Sequence, residues 1–600
     1  MPHILTSSPR QREGIPALPG NIRNVLALSL GLSYEDVDAL WAKTGDLLWP
    51  TSNTPQDNGV HHGLDAILST TAPQFDLGAE LLIAPTRHCI QGNCPQRGLP
   101  LGGNRKNYAG TLFTHGRGTL PIQITTLYCR GCKTTYRPNY YVSHADAPGA
   151  VRKYYEGVPK YIEVVQHSYV DEELLRHSAS GDACAKIYNL SHGTIAAGTS
   201  SLTSDMVWNA FYLHALLLHH RRFNSVLELP HHGEQNERLA EALNARNEKM
   251  VGIGQPHWAH ACDDCEKSVT IKTEEGATSG RISACVMDGV CIGHPRCQVY
   301  HCTERLRSPR DRHCPTHRAL DTVCAIVGCE EPCTDGKRTC SEPDHRSVEE
   351  DRQRQGHALF ELRRRLEARH MASSIRGLTA EDARMLDDDD TDMDEPPTSS
   401  NVAGKEPKSR QAKVKTTLTR RWTHNEQLLV RPCGVIVSRC TFFEAESLPN
   451  ERLFINATFP RHFPRALPSF LFFDNNCQLL AHLVNVQDDH LLRMGFPVDV
   501  FHAVKKHAED DEYCQEHCNP AGFPELLDKD EEWIFNSSVC EQINVWVGKF
   551  LPIVREMSEV HFNFLLDEMM STHNELRVAI LQARGRRPRL VPVEELMLPV

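Results

Sequence analysis

The sequence predicts an α+β chain of several domains, in which small cysteine-rich modules alternate with helical and mixed α/β segments. Three observations carry that reading. At 600 residues the chain is too long for one hydrophobic core, and ordinary domain sizes suggest roughly three to five. Its 22 cysteines are clustered: four form the pairs Cys89/Cys94 and Cys129/Cys132, and eleven fall between Cys262 and Cys340. Between the clusters, short β-like runs bounded by turn residues give way to stretches with helical spacing.

Clustered thiols suit disulfides in an oxidising compartment or metal thiolates in a reducing one. Residues 1–14 show no basic start followed by an apolar core, so no secretory signal is expected. No run of about 18 apolar residues suggests a membrane span. The reading is therefore a reducing compartment, with zinc held by thiolates as a structural cofactor. A net charge of −12 argues against a uniformly basic nucleic-acid coat.

Residues 1–80 read as a mixed helical leader, with Val37 to Trp41 in an amphipathic stretch. From 81 to 145 the reading turns to β, where Gly-rich turns alternate with runs such as Gln123–Tyr128. This window has no Asp or Glu but holds Arg87, Arg97, Arg105, Lys106, Arg117, Arg130, Lys133 and Arg137. They make a local positive field that the overall balance hides, and they are the candidate phosphate contacts. Cys89-x4-Cys94 and Cys129-x2-Cys132 sit in the same window, the pattern by which a zinc ribbon sets four sulfurs around one ion. Tyr108, Phe113, Tyr128, Tyr136, Tyr140 and Tyr141 read first as core fillers and second as base-stacking platforms.

Residues 146–256 read as mainly helical. Met206 to His220 carries Trp208, Phe211, Tyr212, Ala215 and Leu216 at the spacing of a core-facing helix. The span 257–346 contains a phrase said twice: Cys297-x4-Cys302-x11-Cys314-x2-His317, then Cys324-x4-Cys329-x10-Cys340-x4-His345. Each half offers three thiolates and one imidazole, the set that closes a tetrahedral structural zinc site. Sequential pairing is favoured because each half is complete, and cross-braced pairing stays open. Charge here is nearly balanced, so a protein partner fits this module as well as DNA does. Cys333, His301 and His313 are spare, and Cys184 stands alone. Ahead of the repeat, Cys262-x2-Cys265 is a knuckle whose second half is read as Cys285 and Cys291, with His294 in reserve.

Residues 347–424 read as a charged helix, Val348 to His370, followed by an acidic and Pro/Ser-rich linker. A basic stretch from Lys405 to Arg421 closes it, as a solvated linker or a nuclear localisation signal. Residues 425–600 are globular again, with strand-like runs at Gly434–Val437 and Phe470–Phe473 before a helical end. There His502-x4-His507-x6-Cys514-x3-Cys518 supplies four more ligand-type side chains.

These blocks, in this order, resemble the fungal KDZ (Kyakuja–Dileera–Zisupton) transposase elements over roughly residues 80–575. Cys89, Cys94, Cys129 and Cys132 resemble the type-five CxC-like cluster. The tandem repeat, with its Asp288-Gly289-Val290 approach, resembles type six. Arg421–Gln427, Phe473–Cys477, Val500–His502, Cys518–Pro520 and Phe535–Gln542 resemble the transposase portion. The resemblance implies an RNase H-like α/β domain at 425–600 whose acids hold two divalent ions, Mg2+ or Mn2+, about a phosphodiester. On it Asp474, ending the run Ser469–Phe473, is the second acid, and Glu541, opening a helical segment, is the last.

The first acid should lie on the opening strand. That strand is read as Leu428 to Phe443, which has no Asp or Glu and has Cys433 near its middle; Glu444 and Glu446 lie just beyond. The expected site is thus incomplete. The expected function is that of a nuclear, zinc-dependent DNA-binding protein derived from such a transposase, with a degenerate catalytic domain. The alternatives are an active two-metal transposase that cuts and joins DNA, and a RING-like protein-interaction module.

Overall fold

The computed structural model describes residues 20–48, 80–101, 105–175, 181–192, 201–273, 276–334, 336–354, 415–505 and 511–598. They belong to two compact units, 1–250 and 251–600, and each unit has its own main sheet.

In the first unit α1 (Gly20–Leu30) and α2 (Tyr34–Leu48) precede a nine-stranded sheet. Its centre is the hairpin of β2 (Arg105–Thr114) and β3 (Gly118–Cys129), which turns at Gly118 with φ +73°. A left-handed backbone of this kind favours glycine. β1 (Glu80–Ile83) runs parallel to β3. From β3 the meander continues through β4 (Thr134–Tyr136), β5 (Tyr140–Ser143) and β6 (Val151–Tyr154) to β9 (Glu228–Pro230). Beside β2 lies β8 (Ser168–Asp171), parallel to it, and then β7 (Tyr161–Val165). Leu112, Ile122, Ile124 and Tyr169 pack together beneath this sheet, and each such burial stabilises by about 1.5–3 kcal/mol.

Strands β6 to β8 lie within the span read from sequence as mainly helical. They are only four or five residues long, too short for periodicity to separate strand from helix. The helices of that span are α3 (Gly181–Ser191), α4 (Ser204–Arg222) and α5 (Gln235–Met250). α4 starts at Thr203, whose side chain accepts from the Met206 backbone at 3.2 Å, and it buries Val207, Ala210, Leu213 and Leu217 on one stripe.

The second unit is built around β12 (Gly276–Val290), which forms a hairpin with β11 (Glu266–Thr273). The far end of β12 pairs antiparallel with β15 (Asn425–Val430), and β15 with β16 (Ile436–Phe442). On its other side β12 takes β17 (Phe470–Phe472) in parallel, with Val286 opposite Phe472. Strands from 257–290 and from 425–473 therefore share one sheet, although the sequence reading sets them in different domains. The pairing is non-local, and everything from 291 to 424 intervenes. The neck of that insertion is closed by β13 (Pro295–Arg296) against β14 (Arg421–Trp422). A last small ladder joins β10 (His260–Ala261) to β18 (Arg589–Leu590).

Alternation along these strands sorts the side chains. Met287, Leu429 and Val437 join Phe454 and Ile455 of α6 (Leu448–Thr458) and Leu479 and Leu483 of α7 (Asn476–Asn485) in one core. The opposite face carries Arg439, whose guanidinium bridges Glu426 at 2.9 Å and Asp567 at 2.7 Å, all three buried. Asp567 belongs to α11 (Glu559–Ala583). Asn574 of the same helix caps the start of β16, accepting from the Ile436 N–H and donating to its carbonyl. α8 (Val500–Lys505) and α9 (Glu512–His517) lead to α10 (Val539–Gly548), which docks on β12 where Cys540 Sγ donates to the Val286 carbonyl at 3.2 Å. Among the described residues no helix is long and apolar enough to cross a membrane.

Candidate metal centres and a carboxylate cluster

In the first unit the two knuckles converge. Cys89 and Cys94 flank a tight turn in which the Cys94 N–H donates to the Gln91 carbonyl at 3.2 Å. Cys129 ends β3, and Cys132 follows in the next turn. Cys89 Sγ lies 3.6 Å from Cys132 Sγ, and Cys94 Sγ 3.7 Å from Cys129 Sγ. A tetrahedron with Zn–S bonds of about 2.3 Å has sulfur–sulfur edges of about 3.8 Å, so the four sulfurs suit a zinc ion. Tyr136 Oη donates to Cys89 Sγ at 3.3 Å. Burial works to raise that thiol, but the bonds from Tyr136 and the Gln91 backbone bring it down to about 7, towards the thiolate that a metal needs.

The tandem module in the second unit gathers as two sequential sets, Cys297/Cys302/Cys314/His317 and Cys324/Cys329/Cys340/His345. His317 Nδ1 lies 3.2 Å from Cys314 Sγ and 3.6 Å from Cys297 Sγ. His345 Nδ1 repeats this at 3.2 Å from Cys340 and 3.6 Å from Cys324. The spare residues have other partners. Cys333 donates to the Val323 carbonyl, His313 pairs with Asp321 at 2.7 Å, and the His301 N–H donates to Glu444.

Two ligand sets read from the sequence are regrouped. The knuckle Cys262/Cys265 does not meet Cys285, Cys291 or His294. Cys285 sits in the sheet core, Cys291 is exposed, and His294 packs on Phe562. The structure instead brings His260 and Cys433 to the knuckle. Cys433 lies in the turn between β15 and β16, so it reaches across from a distant part of the chain.

The set His502/His507/Cys514/Cys518 is described only in part. Cys514 gathers with Cys477 and Asp511, with Cys518 packed beside them. His502 turns away to Asp499 at 3.1 Å and Glu541 at 3.4 Å, and His507 lies outside the described residues.

Of the basic residues in 81–145, Arg87, Arg97, Lys106, Arg117, Arg130 and Lys133 are exposed. Arg105 starts β2 opposite Leu127. Arg137 is committed to structure: it pairs with buried Glu163 at 3.5 Å and lies over the Tyr140 ring. Of the basic stretch before β15, Lys405, Lys408, Arg410 and Lys413 lie outside the described residues; Arg420 and Arg421 pair with Glu556 and Glu444, each at 2.7 Å.

The carboxylates of the second unit form their own group. Asp474 follows β17 by two residues, as Asp288 follows the Val286 that pairs with Phe472. Equal offsets on neighbouring parallel strands set the two acids side by side at one sheet end. Glu541 enters from the first turn of α10. Burial, with the charges of Asp474, Glu446 and Glu541, pushes Asp288 up to about 7. Glu451 on α6 is almost wholly buried, its Oε2 has no hydrogen-bond partner among the described residues, and burial beside Glu446 and Asp474 pushes it up to about 8. Clustered acids that raise one another in this way are the charge pattern of a cation site.

Asp288 lies near the end of β12, a strand that precedes the Leu428–Phe443 span read from the sequence as the opening strand, and Cys433 lies in the turn between β15 and β16. Glu444 is held elsewhere by Arg296 at 2.5 Å and Arg421 at 2.7 Å. Glu446 stays near the cluster, accepting from Asn425 and Gln427.

Comparison with known families agrees with the cysteine geometry. Residues 77–192 match the CxC5 like cysteine cluster associated with KDZ transposases. Residues 286–351 match the CxC6 like cysteine cluster associated with KDZ transposases. The second match begins within β12 and takes in Asp288 together with the tandem module. No curated protein and no solved structure matches the chain.

Proposed function

We propose that this KDZ-transposase-associated chain is a metal-dependent DNA-processing enzyme, with Asp288, Asp474 and Glu541 as its catalytic acids and zinc modules as its framework. The observation that carries the reading is the register of Asp288 with Asp474, with Glu541 close enough for its charge to bear on Asp288. The sheet order β16–β15–β12–β17, antiparallel then parallel, supports an RNase H-like arrangement in which such acids gather at one end. Two Mg2+ or Mn2+ ions there would supply a clamp on the attacking and leaving oxygens of a phosphodiester. Asp288 and Asp474 would hold them from the sheet and Glu541 from the helix.

In the same reading the exposed Arg87, Arg97, Lys106, Arg117, Arg130 and Lys133, together with Arg105, contact DNA phosphates, and the protein works in the nucleus. With three acids available, an active enzyme fits better than a degenerate one. The test is strand cleavage of DNA bearing the element's ends, with Mg2+ or Mn2+, by the full chain. Wild type should cut, and Asp288→Asn, Asp474→Asn and Glu541→Gln should each fall to background. Activity that survives Asp288→Asn would refute the assignment.

A further inference from the structure

We infer that His260, Cys262, Cys265 and Cys433 form an additional structural zinc site that staples the turn between β15 and β16 to the start of β11. The inference does not depend on the catalytic reading. The four ligands lie outside both cysteine-cluster matches, and one of them is some 170 residues from the others in sequence.

The donor set is Cys3His, and its atoms are mutually close enough to share an ion. Cys262 Sγ lies 3.5 Å from Cys265 Sγ, and Cys433 Sγ lies 3.3 Å from His260 Nε2. None of the four side chains is more than 2% exposed. The knuckle has local support of its own, since the Cys262 N–H donates to Cys265 Sγ at 3.1 Å and the Cys265 N–H to the Cys262 carbonyl at 3.2 Å. Around the group lie Val435, Val578 and Leu581, apolar neighbours that keep water away.

A second, independent observation concerns charge. Arg431 is buried, and its Nε has no hydrogen-bond partner among the described residues. Its guanidinium interacts electrostatically with Cys285, Cys265, Glu266 and Cys433. A guanidinium stays protonated in proteins and needs a counter-charge when buried. Three thiolates and a neutral imidazole around Zn2+ would leave one net negative charge, which complements a cation that already has Glu266 as an electrostatic partner.

The backbone of the turn is arranged to present Cys433. Gly434 takes φ +90°, the Gly434 N–H donates to the Arg431 carbonyl at 2.7 Å, and Arg577 of α11 donates to the Cys433 carbonyl. Zinc here would therefore tie three pieces together: the 260–265 segment, the β15–β16 turn and, through that turn, α11.

Two measurements on the full-length protein test this. Zinc per mole should fall by one for Cys433→Ser and stay at the wild-type value for Cys285→Ser; equal values in the two variants would overturn the site. Thiol alkylation mapped in wild type should show Cys433, Cys262 and Cys265 modified much faster after zinc chelation than before. Equal rates with and without chelator, or a native Cys262–Cys265 disulfide, would also overturn it, and this second measurement holds even if the serine variant fails to fold.

Discussion

Asn544 Nδ2 lies 2.8 Å from Asp288 Oδ2 and 3.2 Å from the Gly289 carbonyl, so one side chain on α10 holds the end of β12. Asn544 is nearly one turn after Glu541 on the same helix. The bond therefore helps to fix the separation of two of the three proposed catalytic acids, while the other Asp288 oxygen accepts from the Gly289 N–H at 2.8 Å. Removing such a partner of a metal ligand typically weakens metal affinity about 10–100-fold. Asn544→Ala should show that loss by Mn2+ titration, with a matching fall in cleavage at limiting metal. Asn544→Asp should be worse, because it adds a like charge.

The raised acids set a pH dependence. Asp288 is held at about 7 in the fold, chiefly by burial and then by Asp474, Glu446 and Glu541, against about 3.9 in an unfolded chain. An acid raised on folding contributes stability that is complete below its unfolded value and is lost as pH rises through the folded one. The metal-free protein should therefore lose thermal stability between about pH 4 and 7. Divalent metal, which replaces the proton, should bind more tightly as pH rises to about 7 and level off above it. Calorimetry with and without Mg2+ across that range checks both halves.

Glu451 isolates the cost of this charge crowding. It is pushed up to about 8, chiefly by burial and then by Glu446 and Asp474, and its Oε2 has no partner among the described residues. Glu451→Gln should raise the metal-free Tm at pH 8 by roughly 1–2 °C, the shift expected for about 1 kcal/mol in a unit spanning 251–600. If Tm falls, the crowding account fails.

Arg439 tests the sheet itself. It links Glu426 and Asp567 in a buried triad, with Gln255 also donating to Asp567 at 2.8 Å. Replacing one member leaves uncompensated buried charge, so Arg439→Ala should destabilise by about 3–5 kcal/mol in chemical denaturation.

In the tandem module, sequential grouping makes the two ions separable. Cys314→Ser should lose one zinc by native mass spectrometry while the Cys324/Cys329/Cys340/His345 set keeps its own. Loss of both would point to a shared, cross-braced arrangement.

The local cysteine groups were legible because zinc ligands on short knuckles are close in sequence. Cys89 with Cys94 and Cys297 with Cys302 need no knowledge of the fold. Cys433 was not legible as a ligand, since its partners are near residue 260 and it looked like an obstacle inside a strand. Asp288 was hidden for a related reason. Its strand precedes the cysteine module and its sheet partners follow it, so the pairing that sets it near Asp474 spans the whole insertion. One signal was available: Ile282, Ala284 and Val286 alternate up to Asp288, as a strand ending in an acid should. Within the His502-to-Cys518 group, the gathering of Cys477 and Asp511 with Cys514 was not legible, because Cys477 lies on another helix and Asp511 drew no notice among the thiols.

The neck formed by Pro295 with Trp422 and Arg296 with Arg421 also bears on how the second unit folds. Before β12 can find β15, the chain between them must be brought back on itself, and that entropic barrier rises with the length of free chain by about 0.6 kcal/mol per doubling. Zinc captured early by the intervening module shortens the part that is free to wander. Refolding of the second unit should therefore be faster with zinc present from the start than with zinc added after dilution, making the metal an assembly factor in time as well as a fastener in place.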